Sequence, residues 1–235
     1  MRSLVSFLTT IPTGEMSLED AAKKSYLFPV VAVFIGLIVG SLSLIFFSIV
    51  HPVLATLLTL LVLYLIAGIN DIDGFADFID GIYVMGDKEE KIRVMKDVQL
   101  GVAAFLALFF LLSSYLFSFY EIAGTVSFII VAEVSAKTAM LTSIYFGRPR
   151  GKGLGSVFIK HLNRKAYSLS VVFSLLVCFY LAHYTGLIAL GIGLLTSLLL
   201  VASAHKGFGC VTGDVMGAVN EISRVVALLA LVLLR

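Results

Sequence analysis

Long apolar runs separated by short polar stretches repeat along the whole chain. A membrane-spanning helix needs about 20 mainly apolar residues. Seven segments approach or exceed that length: Tyr26–Val50, Val53–Ile69, Gly101–Tyr120, Ala123–Phe146, Ala166–His183, Gly186–Ser203 and Ala218–Leu234. The pattern predicts an all-α integral membrane protein, a polytopic bundle of six or seven transmembrane helices. Met1–Pro12, ahead of the first segment, is interpreted as an interfacial segment or lid.

Composition agrees with a lipid environment. The 235 residues are 60% apolar and 14% charged, whereas soluble domains are about 45–50% apolar and about 25% charged. No break in composition marks a second domain, so residues 1–235 are predicted to form one polytopic membrane domain. A net charge of +2 is too small to indicate a nucleic-acid-binding protein.

Basic residues gather on alternate connections between the apolar segments. The connections near His51, Glu121 and His183 contain no Lys or Arg. The other side carries Arg2, Lys23, Lys24, Lys88, Lys91, Arg93, Lys96, Arg148, Arg150, Lys152, Lys160, Arg164, Lys165 and Lys206. Because positively charged loops stay cytoplasmic, we predict a multi-pass cell-membrane protein with its active site at the cytoplasmic face. Three long inner connections carry most of the polar residues: Asn70–Leu100, Gly147–Lys165 and Ala204–Gly217.

The first inner connection opens with an acidic run. In a helix Asp73, Asp77 and Asp80 stand at i, i+4 and i+7 and share one face. Carboxylates this close repel one another unless a cation lies among them. Ligand sets made only of oxygen suit magnesium or manganese. A solvated acidic helix end is the alternative, but interleaved Phe75 and Phe78 favour a largely buried segment and therefore a metal site.

The other inner connections supply further candidates for phosphate chemistry. Lys96 and Asp97 lie where the chain re-enters the membrane. Glycines that alternate with cations can surround phosphate oxygens, although the positive-inside rule alone also places basic residues here. The residues with this pattern are Arg150, Lys152, Gly153, Gly155 and Lys160. Thr212 and Asp214 form either a helix N-cap or an additional metal or nucleotide contact.

Two charged residues lie inside the fourth apolar segment. Glu133 and Lys137 are spaced i, i+4 and are expected to pair with each other. The alternative directs Lys137 towards the phosphate site. Carboxylates for a divalent cation, together with glycines and cations for phosphate, indicate phosphoryl or nucleotidyl transfer at a membrane surface.

Five motifs in order resemble one known family over nearly the whole chain. They are Phe7–Pro12, Asp73–Gly81, Met95–Asp97 with Gly101, Gly153–Gly155 ahead of Phe158, and Thr212–Asp214 ahead of Gly217. This set resembles the cobalamin synthase family, the adenosylcobinamide-GDP ribazoletransferases. Asp71 departs from the family pattern, which usually has His at that position.

The resemblance implies a magnesium-dependent reaction at the cell membrane. A hydroxyl of α-ribazole, or of its 5′-phosphate, attacks the cobinamide-linked phosphorus of adenosylcobinamide-GDP, GMP leaves, and adenosylcobalamin or its 5′-phosphate forms. It further implies that Asp73, Asp77 and Asp80 hold Mg²⁺, with Asp80 as first and Asp97 as second choice for the general base. The expected substrate- or phosphate-binding residues are Lys96, Arg150, Lys152, Gly153, Gly155, Lys160, Thr212 and Asp214.

Two other functions remain open. A CDP-alcohol phosphatidyltransferase also uses an Asp-Gly-rich acidic run, but its pattern places Ala-Arg after the first Asp-Gly, whereas Ala76 is followed by Asp77. A cation-coupled transporter would show paired halves with interrupted helices, and no such symmetry is visible. Whether the chain acts alone or as a homo-oligomer is left open.

Overall fold

The computed structural model describes residues 1–14, 17–97 and 99–235. These residues form eleven α-helices, one 3₁₀ turn at Ser25–Leu27 and no strand. The helices are α1 Arg2–Leu8, α2 Leu18–Lys23, α3 Phe28–Ile49, α4 Pro52–Ala67, α5 Asn70–Tyr83, α6 Lys88–Val94, α7 Val102–Ile122, α8 Val126–Phe146, α9 Leu154–His161, α10 Arg164–Gly207 and α11 Gly213–Leu233. The predicted all-α polytopic class is confirmed.

Helices α8 and α11 form the centre of the bundle. Every residue of α8 from Ile129 to Ile144 is buried, and α8 packs against α3, α10 and α11. Small residues permit this close packing. A Cβ added at Gly36 of α3 would lie 2.6 Å from the Cα of Ile130. By contrast α3, α4, α7 and α10 expose many large apolar side chains, as expected of surfaces that face lipid.

Helix α10 is a hairpin of two antiparallel arms. Its backbone leaves the helical region at Ala182 and His183. Ser174 in the first arm lies 2.7 Å from Thr138 of α8, and Ser197 in the second arm donates to the carbonyl of the next residue, Ala139, at 2.7 Å. Both arms therefore reach the same level of α8. With α10 counted as two spans, the seven predicted segments correspond to α3, α4, α7, α8, the two arms of α10, and α11.

A sharp bend joins α4 to α5 and carries the chain out of the apolar bundle. The two helix axes differ by 93°, and Gly68 at the junction has φ +81°, a conformation that glycine adopts without strain. Thr10 from the N-terminal segment donates its backbone N–H to the carbonyl of Ile66 at 2.8 Å and its hydroxyl to that of Leu65 at 2.5 Å. The bend is thus fixed by the segment that follows α1.

The two charges of α8 have partners other than each other. Lys137 Nζ lies 3.0 Å from Asp71 Oδ2 on α5. Glu133 Oε1 lies 2.6 Å from Arg224 Nε on α11, and Arg224 also contacts Glu221 at 2.5 Å. The expected Glu133–Lys137 pair is therefore wrong. The i, i+4 spacing allows a pair within one helix, but tertiary packing brings stronger partners from two other helices.

Candidate active site

The acidic face of α5 lines a pocket of about 280 Å³. Asp73, Asp77 and Asp80 all border it, as the i, i+4, i+7 spacing predicts. Lys96 and Asp97, from the turn after α6, form the facing wall. The apolar face of α5, with Phe75 and Phe78 buried, packs into the bundle, which holds the carboxylates at the polar surface.

Three other carboxylates crowd around Asp77. Burial, and then the neighbouring charges of Asp73, Asp214 and Asp80, raise the pKa of Asp77 to about 6. Ionising all four groups together is unfavourable in the absence of a counter-charge. Lys96 supplies part of that charge, since its ammonium group interacts with Asp214. Asp214 therefore belongs with the acidic residues of α5, although it comes from the start of α11.

Close backbone packing brings Asp214 to α5. A Cβ added at Gly74 would lie 2.8 Å from the Cα of Asp214, and one added at Gly217 would lie 2.8 Å from the carbonyl oxygen of Asp71. Glycine at both positions therefore lets α5 and the first turns of α11 touch along their backbones. The Gly residues of two separate sequence motifs meet at this contact.

Asp80 has a structural partner on each oxygen. Its Oδ2 accepts the backbone N–H of Gly101 at 2.7 Å, and its Oδ1 accepts that of Ala104 at 3.1 Å. These N–H groups belong to the first turn of α7, where they have no partner within the helix. A Cβ on Gly101 would collide with the Asp80 carboxylate. Asp80 is therefore a side-chain cap of α7 at the edge of the acidic pocket.

The donor set matches a hard cation in chemistry. The acidic residues Asp73, Asp77, Asp80 and Asp214 offer carboxylate oxygens, which magnesium prefers. Within residues 1–14, 17–97 and 99–235, no three His, Cys, Asp or Glu side chains already surround a point that a metal ion could occupy. Asp73 is exposed and Asp77 and Asp214 are partly exposed, so these side chains have room to turn towards a bound cation.

The glycine motif of the second inner connection packs against the motif of the third. A Cβ added at Gly155 would lie 2.6 Å from the carbonyl oxygen of Val211. Thr212 caps α11 by accepting the N–H of Val215 at 3.4 Å, and it donates to Asp214 at 3.2 Å. Gly153, by contrast, is exposed, with only one heavy atom as near as 4.0 Å to an added Cβ. Gly155 and Thr212 thus position Asp214.

The basic residues of the second inner connection lie outside the acidic pocket. Arg150 is 3.5 Å from Glu89 of α6 and interacts with Cys210. Lys152 and Lys160 are exposed, and neither lines the acidic pocket. Of the cations predicted to contact phosphate, Lys96 is the one that the fold places among the carboxylates.

A second cavity lies near the start of α5, and it contains a residue that sequence reasoning undervalued. Asp71 borders this cavity together with Asp214. Its Oδ2 accepts hydrogen bonds from Lys137 at 3.0 Å and from Asn220 at 2.9 Å. The helical spacing favours Glu133 as the partner of Lys137, and Asp71 stands where the family pattern usually has His. The available signal was a lysine inside an apolar segment, since such a charge needs an acidic partner.

The fold and this site define a polytopic helical membrane protein with an acidic pocket at one polar end of its bundle. The chain belongs to the cobalamin-5-phosphate synthase family, whose model matches residues 1–232. It is similar to proteins named adenosylcobinamide-GDP ribazoletransferase. One from Archaeoglobus fulgidus is 37% identical over 98% of this chain and 96% of the relative, and one from Thermococcus kodakarensis is 34% identical over 99% and 98%. No solved structure matches.

Proposed function

We propose that this protein joins adenosylcobinamide-GDP with α-ribazole, or with α-ribazole 5′-phosphate, and releases GMP. The observation that carries the proposal is the family match over residues 1–232, because it includes every residue of the acidic pocket. The relatives' name states the same transfer. Carboxylates with one lysine beside them suit chemistry at a diphosphate, where charge must be neutralised and a proton removed.

Asp73, Asp77 and Asp214 are the residues we assign to a divalent cation. Such a cation, when bound, supplies positive charge to the diphosphate and lowers the cost of the developing negative charge on the leaving GMP. Magnesium is the proposed ion because every donor is an oxygen. Asp80 takes a positioning role instead, since both of its oxygens hold the first turn of α7.

The other residues of the pocket act on the reacting groups. Lys96 would hold a phosphate oxygen, because it borders the pocket together with Asp73 and Asp77. Asp97 is exposed, and within residues 1–14, 17–97 and 99–235 its carboxylate accepts only the N–H of Gln99, at 3.2 Å, so it is our choice for the proton acceptor. The nucleophilic hydroxyl oxygen bonds to the cobinamide-linked phosphorus, its proton passes to Asp97, and GMP leaves with the bridging oxygen. Arg150 and Lys152 would attract the charged substrate from the rim.

The proposed location is the cell membrane, with the acidic pocket on the cytoplasmic side. The support is the placement of the basic residues: the turn after α6, the connection before α9 and the first turn of α10 carry Lys and Arg, and such segments remain inside. A cytoplasmic pocket is also the one that a charged nucleotide substrate can reach without crossing the bilayer.

The test is reconstitution with purified protein in detergent or nanodiscs. Adenosylcobinamide-GDP, α-ribazole and Mg²⁺ should give equal amounts of GMP and adenosylcobalamin, and removal of Mg²⁺ with a chelator should stop both. Asp77→Asn should reduce the rate at least about a hundredfold, as loss of one catalytic charge does. Asp87→Asn is the matched control, because Asp87 caps the surface helix α6 and Asn caps equally well.

Two results would contradict the proposal. Wild-type protein that binds both substrates yet forms no GMP would rule out the reaction. Asp77→Asn protein with wild-type thermal stability and an unchanged dependence on Mg²⁺ would remove Asp77 from the cation site, while leaving the reaction itself in place.

A further inference from the structure

The second cavity, of about 290 Å³, is lined by apolar side chains and by acidic ones. Met140 and Met216 form part of its lining, and both are at most 2% exposed. Phe7 and Leu8 close it from the N-terminal helix α1. Methionine sulfurs adapt to irregular shapes and make favourable contacts with aromatic rings.

Leu154, an apolar side chain that lines this cavity, is exposed in a connection between spans, where contact with lipid does not account for its exposure. This residue, at the start of α9, is 37% exposed. It lies beside Gly213, because a Cβ added at Gly213 would be 3.5 Å from the Leu154 side chain. Its neighbours in the chain are Gly153 and Gly155, in an inner connection that also carries Arg150 and Lys152. A ligand in the cavity would cover Leu154 and remove its surface from water.

The other end of the cavity is polar and rigid. Asp71 is held there by two donors, Lys137 and Asn220, at 3.0 and 2.9 Å. Lys137 and Asn220 are both fully buried, so they hold the Asp71 carboxylate in one orientation. Asp214 borders the cavity too, and it is at the same time a charge neighbour of Asp77 in the acidic pocket. Asp214 therefore links the cavity to the site of phosphate chemistry.

We propose that this cavity binds the nucleoside alcohol, with its aromatic base on Met140, Met216 and Phe7 and its ribose at Asp71 and Asp214. The inference rests on the proposed function. Ribose hydroxyls are donors that a fixed carboxylate accepts well. A ribose at Asp214 would place its nucleophilic hydroxyl beside the cation ligands and Lys96, which is where the diphosphate must lie.

Size and polarity favour this occupant over two others. The corrinoid part of the first substrate is far larger than a cavity of about 290 Å³. The guanine of GDP carries polar atoms around its edge, and these would lose their hydrogen bonds against the methionine floor. A lipid acyl chain would leave Asp71 and Asp214 without a function. A nucleoside with a largely apolar base, such as a benzimidazole, matches both ends of the cavity. The base lies against the methionines and the ribose against the carboxylates.

The substitution Leu154→Trp tests this proposal, because the larger side chain would narrow the entrance of the cavity. The KM for α-ribazole should rise about tenfold or more, corresponding to about 1.4 kcal/mol of lost binding. The KM for adenosylcobinamide-GDP should stay within about twofold, because that substrate lies in the other pocket. Leu176→Trp is the control: Leu176 is 65% exposed on the outer surface of α10, and the same enlargement there should change neither constant.

Binding of radiolabelled α-ribazole alone, measured by equilibrium dialysis, separates this inference from the proposed function. Wild-type protein should bind it and the Leu154→Trp variant should bind it more weakly. That result supports the cavity assignment even if no GMP forms. An active wild type whose Leu154→Trp variant keeps its KM for α-ribazole would overturn the inference. A change confined to the KM for adenosylcobinamide-GDP would also overturn it and would assign the cavity to guanosine. Displacement of a tightly bound lipid, with no change in the binding of α-ribazole, would overturn it as well.

Discussion

Asp80 Oδ2 accepts the backbone N–H of Gly101 at 2.7 Å, and through this contact the acidic helix α5 holds the start of a membrane span. The same carboxylate accepts the N–H of Ala104. Spacing alone groups Asp80 with Asp73 and Asp77. Its hydrogen bonds distinguish it from them, because the first turn of α7 needs partners that only a side chain from another helix supplies here.

Replacement of Asp80 tests this separation. Asp80→Ala removes two hydrogen bonds to a charged acceptor, each contributing roughly 1.5–3 kcal/mol, so the unfolding temperature in detergent should fall clearly. Asp80→Asn keeps one acceptor oxygen and should fall less. If Asp80 acted mainly as a cation ligand, both variants would keep their thermal stability and require more Mg²⁺ for half-maximal rate.

The ion pairs of Arg224 are expected to matter more for stability than any other charged contact described above. Arg224 is 1% exposed and lies between Glu133 and Glu221, while Tyr64 and Tyr115 each donate to Glu221 at 2.9 Å. Arg224→Leu leaves two buried carboxylates without their counter-charge, which costs roughly 3–5 kcal/mol. Thermal unfolding in detergent measures the loss.

Arg235 provides the matched comparison for Arg224. It pairs with Glu121 at 2.5 Å, and its side chain is 44% exposed. Arg235→Leu should cost about 0–1 kcal/mol, as exposed pairs do. Equal losses for the two arginines would mean that the buried network adds nothing beyond a surface pair.

Asp71 and Lys137 should behave as a coupled pair. Lys137→Met leaves Asp71 with Asn220 as its remaining donor and should both lower stability and raise the KM for α-ribazole. Adding Asp71→Asn removes the unbalanced charge, so the double variant should recover part of the stability, with a coupling energy of about 0.5–3 kcal/mol. The double variant should not recover the wild-type KM for α-ribazole, because the ribose would still lack its charged acceptor. Strictly additive losses in stability would show that the pair is not coupled.

Two glycines of one motif should respond differently to alanine. At Gly155 the new methyl group would lie 2.6 Å from the carbonyl of Val211, and overpacking of this kind costs roughly 1–3 kcal/mol. At Gly153 the nearest atom is 4.0 Å away. Gly155→Ala should therefore lower stability and activity together, whereas Gly153→Ala should retain both. A matched rise in the KM for adenosylcobinamide-GDP in both variants would favour a phosphate-binding loop instead.

The sequence was sufficient to predict the spans, because lipid imposes length and apolarity on each segment independently of its neighbours. It also placed Asp73, Asp77 and Asp80 on one face, since helical spacing is a local property. The hairpin within α10 follows the same logic: the backbone leaves the helical region at Ala182 and His183, where the hydropathy pattern already separates two segments.

Partners from distant parts of the chain could not be predicted in this way. Lys137 meets Asp71, which is 66 positions away, and nothing local distinguishes that partner from Glu133 one turn earlier. The capping role of Asp80 depends equally on where α7 begins relative to α5. The contribution of Asp214 depends on backbone contact at Gly74 and Gly217, two glycines whose sequence positions give no sign that they meet.

The contact between α5 and α11 sets an order of events during biosynthesis. Asp73 and Asp77 leave the ribosome early, but Asp214 and the backbone against which Gly74 packs belong to the last helix described. Helices α7 to α10 must therefore enter the bilayer before the pocket can close. A chain halted after α10 would hold α5 against α7 through Asp80, but it would lack the α11 contact and Asp214, so it would be inactive. The protein can therefore be active only after the whole bundle has been inserted.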